Sequence, residues 1–268
     1  MFKRFISTAV IVFGLAALLM LAGCGNSLES VSDNSSKDKT TIGIIAALEC
    51  EIDILRDNLE DVQTYEIAGT EYYSGTIGNH EVICMQCGMG KVSASLGAQA
   101  MIMQFDPDII INTGCAGALA EELEVGDIVL ADSTVEWDLD TIDLGNPRGY
   151  VSAMDKVVMT ADEAVTDQIA DVIGDDAEIY RGMIVSGDQF VSTDEQRNLI
   201  FEAFPDALCT EMEGGAIGHV CEQNGVPFCV IRCISDNANG DSSVNIAEFS
   251  EAVGKKSAGY LLEYLSTY

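Results

Sequence analysis

Residues 41–268 read as one α/β domain with a mixed, largely parallel central sheet flanked by helices, and three observations carry that reading. Apolar runs of strand length recur at 41–48, 108–118, 126–132, 178–185 and 228–234, with helical-period stretches between several of them. The runs are mostly apolar throughout instead of alternating, as strands covered on both faces are. No Pro/Gly/Ser-rich break and no internal repeat divides the segment, and its length suffices for a single core.

The first 23 residues are expected to stand outside that domain. Lys3 and Arg4 precede an apolar stretch, 5–20, which gives way to Leu21-Ala22-Gly23-Cys24. This resembles a bacterial lipoprotein signal; a plain transmembrane anchor is the competing reading. The resemblance implies cleavage before Cys24, lipid on its sulfur, and a mature chain tethered outside the cytoplasmic membrane by that lipid alone. From 24 to 40 the chain is rich in Ser, Asn, Asp and Lys, which reads as a flexible tether.

Charge narrows the partners. The chain has 44 acidic and 13 basic residues, a net charge of −31, so nucleic acid and anionic headgroups are disfavoured. Without a basic cluster, a neutral or zwitterionic small molecule is the expected ligand. Nine cysteines in an exported chain would suggest disulfides, but Cys84, Cys87, Cys209, Cys221, Cys229 and Cys233 sit in apolar or small-residue runs. They read as buried small hydrophobes. With His80 and His219 the only histidines, no metal site and no cofactor are expected.

In chain order, 41–48 is a strand ending at Glu49-Cys50-Glu51, and Ile52, Leu55 and Leu59 follow at helical spacing. Glu51 thus stands at a strand-to-helix junction, where an acid could also serve only the helix dipole. Residues 65–87 read as a β-meander. Gly88-Met89-Gly90-Lys91 opens a helix over 92–105; it lacks phosphate-loop spacing, so a close approach to an uncharged ligand, with Met89 facing it, is the better reading. The run 108–118, DIIINTGCAGA, is a strand ending in small residues, and it has no dinucleotide fingerprint. The stretch 133–152 reads as a long loop holding Trp137, at a site or a subunit contact.

Residues 161–173 form a helix, and the strand 178–185 ends in a loop where Phe190 could stack on a ring or fill the core. After a helix over 193–204, Thr210 and Glu213 match a capping box opening the next helix. In the run 228–234, Arg232 needs a carboxylate or a ligand, because a guanidinium cannot shed its charge. Ser235 and Asp236 end that strand, where open α/β sheets collect ligands, though an N-cap is also a role for Asp236. A last helix, 246–264, closes the domain. Glu51, Glu213 and Asp236 each follow an apolar run and would gather at one sheet edge, a set suited to acid/base attack of water on a neutral substrate.

The segments GIIAALECEI, GMGKVSA, IIINTGCAGAL, VGDIV, VSGDQF, TEMEGGAIGHVC and VPFCVIRCISDNA occur in the order found in the methylthioadenosine/S-adenosylhomocysteine nucleosidases of the purine nucleoside phosphorylase-like superfamily, which this chain resembles over nearly all of 41–268. The resemblance implies hydrolysis of an adenine thionucleoside to adenine and a thioribose, by a homodimer. It implies that Glu51 activates water and that Asp236 protonates adenine N7, with Ser235 orienting it and Arg232 helping to hold Glu51 and the water. Glu213 would bind the ribose hydroxyls and Met212 pack on the sugar. Phe190 would stack on the purine and the backbone of Val191 read its edge, with Cys115, Ala116, Gly117 and Glu211 lining the site. Met89 and Ile246 would border the 5′ substituent. Cys115 replaces a common serine, Ile246 an aromatic residue, and the 137–149 loop is shorter than in familiar members. The alternatives are a nucleosidase for another adenine nucleoside, of 5′-deoxyadenosine or futalosine type, and a surface lipoprotein that binds nucleosides without turnover.

Overall fold

In the computed structural model, which describes residues 39–238 and 246–268 apart from the side chains of 246–250, the first apolar run forms β1 (Thr41–Ala46), buried along its whole length. Its alternate residues serve different layers. Ile42, Ile44 and Ala46 join a core cluster with the last helix, while Ile45 joins another on the opposite face. A 3₁₀ turn (Glu49–Glu51) and α1 (Asp53–Asp57) follow, so the helix expected through Leu59 is only five residues long. The chain turns back at Asn58 into β2 (Glu60–Ile67), and Leu59 still reaches the core.

The meander completes with β3 (Thr70–Ile77) and β4 (His80–Gln86). Next come α2 (Lys91–Phe105), β5 (Ile109–Ala118), β6 (Ile128–Glu136), the two-residue β7 (Met159–Thr160) and α3 (Glu163–Ile173). The remainder is β8 (Ile179–Ser186), α4 (Asp194–Ala203), β9 (Ala207–Glu211), α5 (Gly214–Asn224), β10 (Phe228–Asp236) and α6 (Ile246–Thr267).

The strands make one mixed sheet ordered β2-β3-β4-β1-β5-β9-β8-β6-β10, and β10 also pairs with β5. The last five therefore close into a ring. Pairs β1–β4, β1–β5, β5–β10, β6–β8 and β8–β9 are parallel, while the meander, β5–β9, β6–β7 and β6–β10 are antiparallel. Strands β1, β5 and β10 thus end at a common edge. Strand β9 meets β5 only at Gly117–Thr210 and Ala118–Cys209, which brings its carboxyl end to that edge as well.

Three expectations change here. Residues 133–136 continue β6 instead of starting a loop, and Trp137 is 1% exposed in a core cluster with Val135, Val185 and Val191. It is a packing residue, not a surface contact. Thr210 lies on β9 with its hydroxyl buried and unpartnered, so it caps nothing; α5 begins after Glu213, whose side chain does not cap it either. Cys84, Cys209, Cys221, Cys229 and Cys233 are buried thiols as expected, whereas Cys87 is half-buried; Cys84 and Cys87 pack in different layers.

Candidate active site

The carboxyl half of β5 organises the site. The Glu51 carboxylate is buried, at 2% exposure, and folds back over the turn that carries it. Its Oε2 accepts the Ala47 and Leu48 N–H groups (3.1 and 2.8 Å), and Oε1 accepts that of Cys115 on β5 (3.1 Å). Three amide donors from two elements fix one carboxylate. They do far more than compensate a helix dipole.

Asp236 arrives from β10. Register between β10 and β5 shifts between Ile234 and Asp236, so Ser235 is an extra residue and the bulge re-aims its neighbour. The Ser235 hydroxyl bonds Asp236 Oδ1 (2.7 Å) and the Ala116 carbonyl (3.2 Å), while Ala238 N–H donates to Oδ2 (2.9 Å). Asp236 is registered on Gly117, two residues along β5 from the Cys115 that holds Glu51, a separation of about 7 Å. Both acids therefore flank one short length of strand.

The small residues of NTGCAGA make this convergence possible. A β-carbon at Gly114 would overlap Arg232 Nη1 and lie 2.9 Å from Glu51 Oε1; one at Gly117 would lie 3.2 Å from Asp236 Oδ2. What approaches the backbone is the protein's own functional side chains.

A second acid pair stands where β9 runs into α5. The Arg232 guanidinium, almost fully buried, donates to Glu211 Oε2 and Asn112 Oδ1, and Glu213 Oε2 lies 3.6 Å away. Burial opposes its charge, but Glu211, Glu213 and Glu51 outweigh that and hold it protonated. Glu211 is turned inward. It accepts the Ser186 hydroxyl and the N–H groups of Glu213 and Gly214 (3.0 and 2.8 Å), so it caps α5 in place of the Thr210 box. Its reading as a ligand contact gives way to one as a positioning anion. Glu213 keeps one external bond, from Gly90 N–H (2.8 Å). Burial first, and then Glu211, push its carboxyl up to about 7.

Of the apolar candidates, Phe190 and Met89 are exposed, at 51% and 66%, and Met212 is half-buried; Val191 buries its side chain, leaving only its backbone to face a ligand. Ile246 opens α6, but its side chain lies outside the described residues, as do 1–38 with Cys24. Several residues that hold the site were not singled out from sequence. Lys91 Nζ bridges Glu136 and Asp138 (3.0 and 2.7 Å) and its N–H donates to Asp188 (2.7 Å), fastening the glycine turn beside Glu213. Asn112 fixes Arg232; a polar residue inside an otherwise apolar run was the available signal.

Residues 41–266 match the phosphorylase superfamily model. A 5′-methylthioadenosine/S-adenosylhomocysteine nucleosidase of Listeria monocytogenes is 36% identical over 85% of this chain and 99% of its own. The Neisseria meningitidis enzyme of that name, solved with methylthio-immucillin-A, superposes with a TM-score of 0.82 at 31% identity, over 85% of this chain and all of its own. That of S. pneumoniae, solved with the transition-state inhibitor MT-ImmA, gives 0.80 at 35%, over 85% and 99%.

Proposed function

Because the chain belongs to the phosphorylase superfamily and, within it, to the 5′-methylthioadenosine/S-adenosylhomocysteine nucleosidases, we infer that the carboxyl end of β5 is where it works. The chain is an N-glycosyl hydrolase: it hydrolyses 5′-methylthioadenosine and S-adenosylhomocysteine, releasing adenine and a 5′-thioribose. The observation that carries the site assignment is the two-residue spacing of Cys115 and Gly117 on β5, which brings Glu51 and Asp236 to the same short stretch of one strand end.

In this reading Asp236 protonates N7 so that adenine departs neutral, and Glu51 takes a proton from the attacking water. A positioned acid contributes about 10²–10⁴-fold. As the base leaves, the sugar becomes cationic. Buried carboxylates beside it stabilise that charge without reorganising, since Glu51 and Asp236 are already oriented by fixed donors. Glu213 in its ionised form accepts the ribose hydroxyls, Met212 packs on the sugar, and exposed Phe190 stacks on the purine. The corner at Arg232 is filled by Glu211 and Glu213, which leaves no cationic seat for phosphate and favours water as the acceptor. The direct test is adenine release from both nucleosides by the purified full chain. Tight nucleoside binding without release would overturn the site reading in favour of a binding protein.

Two further readings belong to the assembly. Val92, Leu96 and Met103 are exposed at 70%, 65% and 79%, at spacings that place them on one face of α2, and Met89 precedes them; this apolar stripe supports a homodimer. Light scattering giving twice the chain mass is the expected result. The Leu21-Ala22-Gly23-Cys24 ending supports a lipid-anchored chain outside the cytoplasmic membrane. Cys24→Ser should release it from the membrane fraction.

A further inference from the structure

Arg197, in the first turns of α4, gives its guanidinium to three backbone carbonyls. Nη1 donates to Ala118 O (2.9 Å) and Asn237 O (2.6 Å), and Nη2 donates to Leu119 O (2.8 Å). Ala118 ends β5 and Asn237 directly follows Asp236. One planar, permanently charged fork therefore ties the end of β5 to the first peptide beyond the acid.

That peptide needs holding. Asn237 is exposed, so burial does not fix it, and Ala238 has φ +47°, a left-handed conformation that a non-glycine residue keeps only when its surroundings impose it. The same Ala238 supplies the N–H that donates to Asp236 Oδ2 (2.9 Å). If the Asn237 carbonyl swings, that donor moves with it. The residue before Arg197 braces the loop that carries Phe190: Gln196 Oε1 accepts Ser192 N–H (3.0 Å) and its amide reaches the Phe190 carbonyl (3.4 Å).

We propose that Arg197 is a positioning residue: by holding the Asn237 peptide against the end of β5, it sets the direction in which Asp236 presents its carboxyl to the leaving group. The inference rests on the reading of Asp236 as the proton donor. It separates from that reading through a substrate whose leaving group needs no proton. On 4-nitrophenyl 5-methylthioriboside, the departing group leaves as a stabilised phenolate, so the donor is bypassed.

The experiment measures kcat and KM for the full chain and its Arg197→Met and Asp236→Asn variants on 5′-methylthioadenosine and on the nitrophenyl riboside. Arg197→Met should lower kcat on the nucleoside by about 10- to 100-fold, a part of the full acid contribution, with KM and the nitrophenyl rate changed less than about threefold. Equal losses on both substrates, beside a selective Asp236→Asn, would overturn the role of Arg197 alone. An unselective Asp236→Asn would overturn the acid assignment and this inference with it. Should the methionine variant fail to fold, Arg197→Lys, which keeps the charge but not the fork, should show a smaller loss with the same selectivity; no loss, or an unselective one, would contradict the proposal.

Discussion

Two pairs of acids flank the end of β5, and they are held in opposite ways. Glu51 and Asp236 are each held by neutral hydrogen-bond donors, three amides for the first and a serine hydroxyl with one amide for the second, and the Arg232 charge acts on Glu51 without a direct ion pair. Glu211 and Glu213 crowd a single buried guanidinium, and one of them is consumed by the helix it caps. Neutral donors orient a carboxylate without tying it to another charged side chain. A shared arginine instead binds the pair into the scaffold. The first corner should therefore fail in rate, and the second in stability.

The sharpest break between the corners is expected at Asp236. Asp236→Asn keeps every hydrogen bond, because the Ser235 hydroxyl can donate to Ala116 O and accept from the new amide. Adenine release should fall about 10²–10⁴-fold, while urea unfolding changes by less than about 1 kcal/mol. A variant that loses activity only because it loses stability would erase the contrast.

At the other corner the order reverses. Arg232→Met leaves Glu211 buried without its cation and should cost about 3–5 kcal/mol in denaturant unfolding. Lysine should restore it only in part, since its ammonium is a more strongly hydrated point charge than the guanidinium and costs more to bury. Stability near that of the parent would show that the corner is not a scaffold.

Glu213 belongs to both worlds, and pH separates them. Its folded carboxyl titrates near 7, above the ordinary value of 4.5, so the folded state binds the extra proton between those values. Stability should fall as pH rises from about 4.5 to about 7, by at most about 3 kcal/mol, and then level off. Binding should run the other way: KM for the nucleoside rises as pH drops below about 7, where Glu213 ceases to accept ribose hydroxyls. Glu213→Gln should flatten both curves; unchanged curves would assign the titration elsewhere.

The smallest effect tests how α5 begins. If Thr210 capped the helix, Thr210→Val would cost about 1 kcal/mol. With its hydroxyl buried and unpartnered and Glu211 doing the capping, the substitution should be neutral or slightly stabilising by thermal unfolding.

These corners also mark what sequence alone could reveal. Glu51, Arg232 and Asp236 were legible because each interrupts or ends an apolar run, where a charged side chain needs a reason. The same logic missed Asn112, although it interrupts a run just as visibly. Strand β9 was hidden because Ala207–Glu211 is five residues with a polar end, and its partners come from distant segments. With β9 unseen, Thr210 and Glu213 fitted a local capping rule that the sheet overrides. Trp137 resembled a loop residue because 138–148 is polar, yet its ring faces the third core cluster. Arg197 could not be read at all, since its partners are backbone carbonyls and carry no sequence signal.

The measurement that bears most directly on the whole account is a crystal structure of the full chain with a non-hydrolysable adenine thionucleoside. Asp236 should lie about 3 Å from purine N7, and Glu51 about 3 Å from a water placed opposite, beneath the anomeric carbon. A nucleoside seated so that only one of the two carboxylates can reach it would contradict the account.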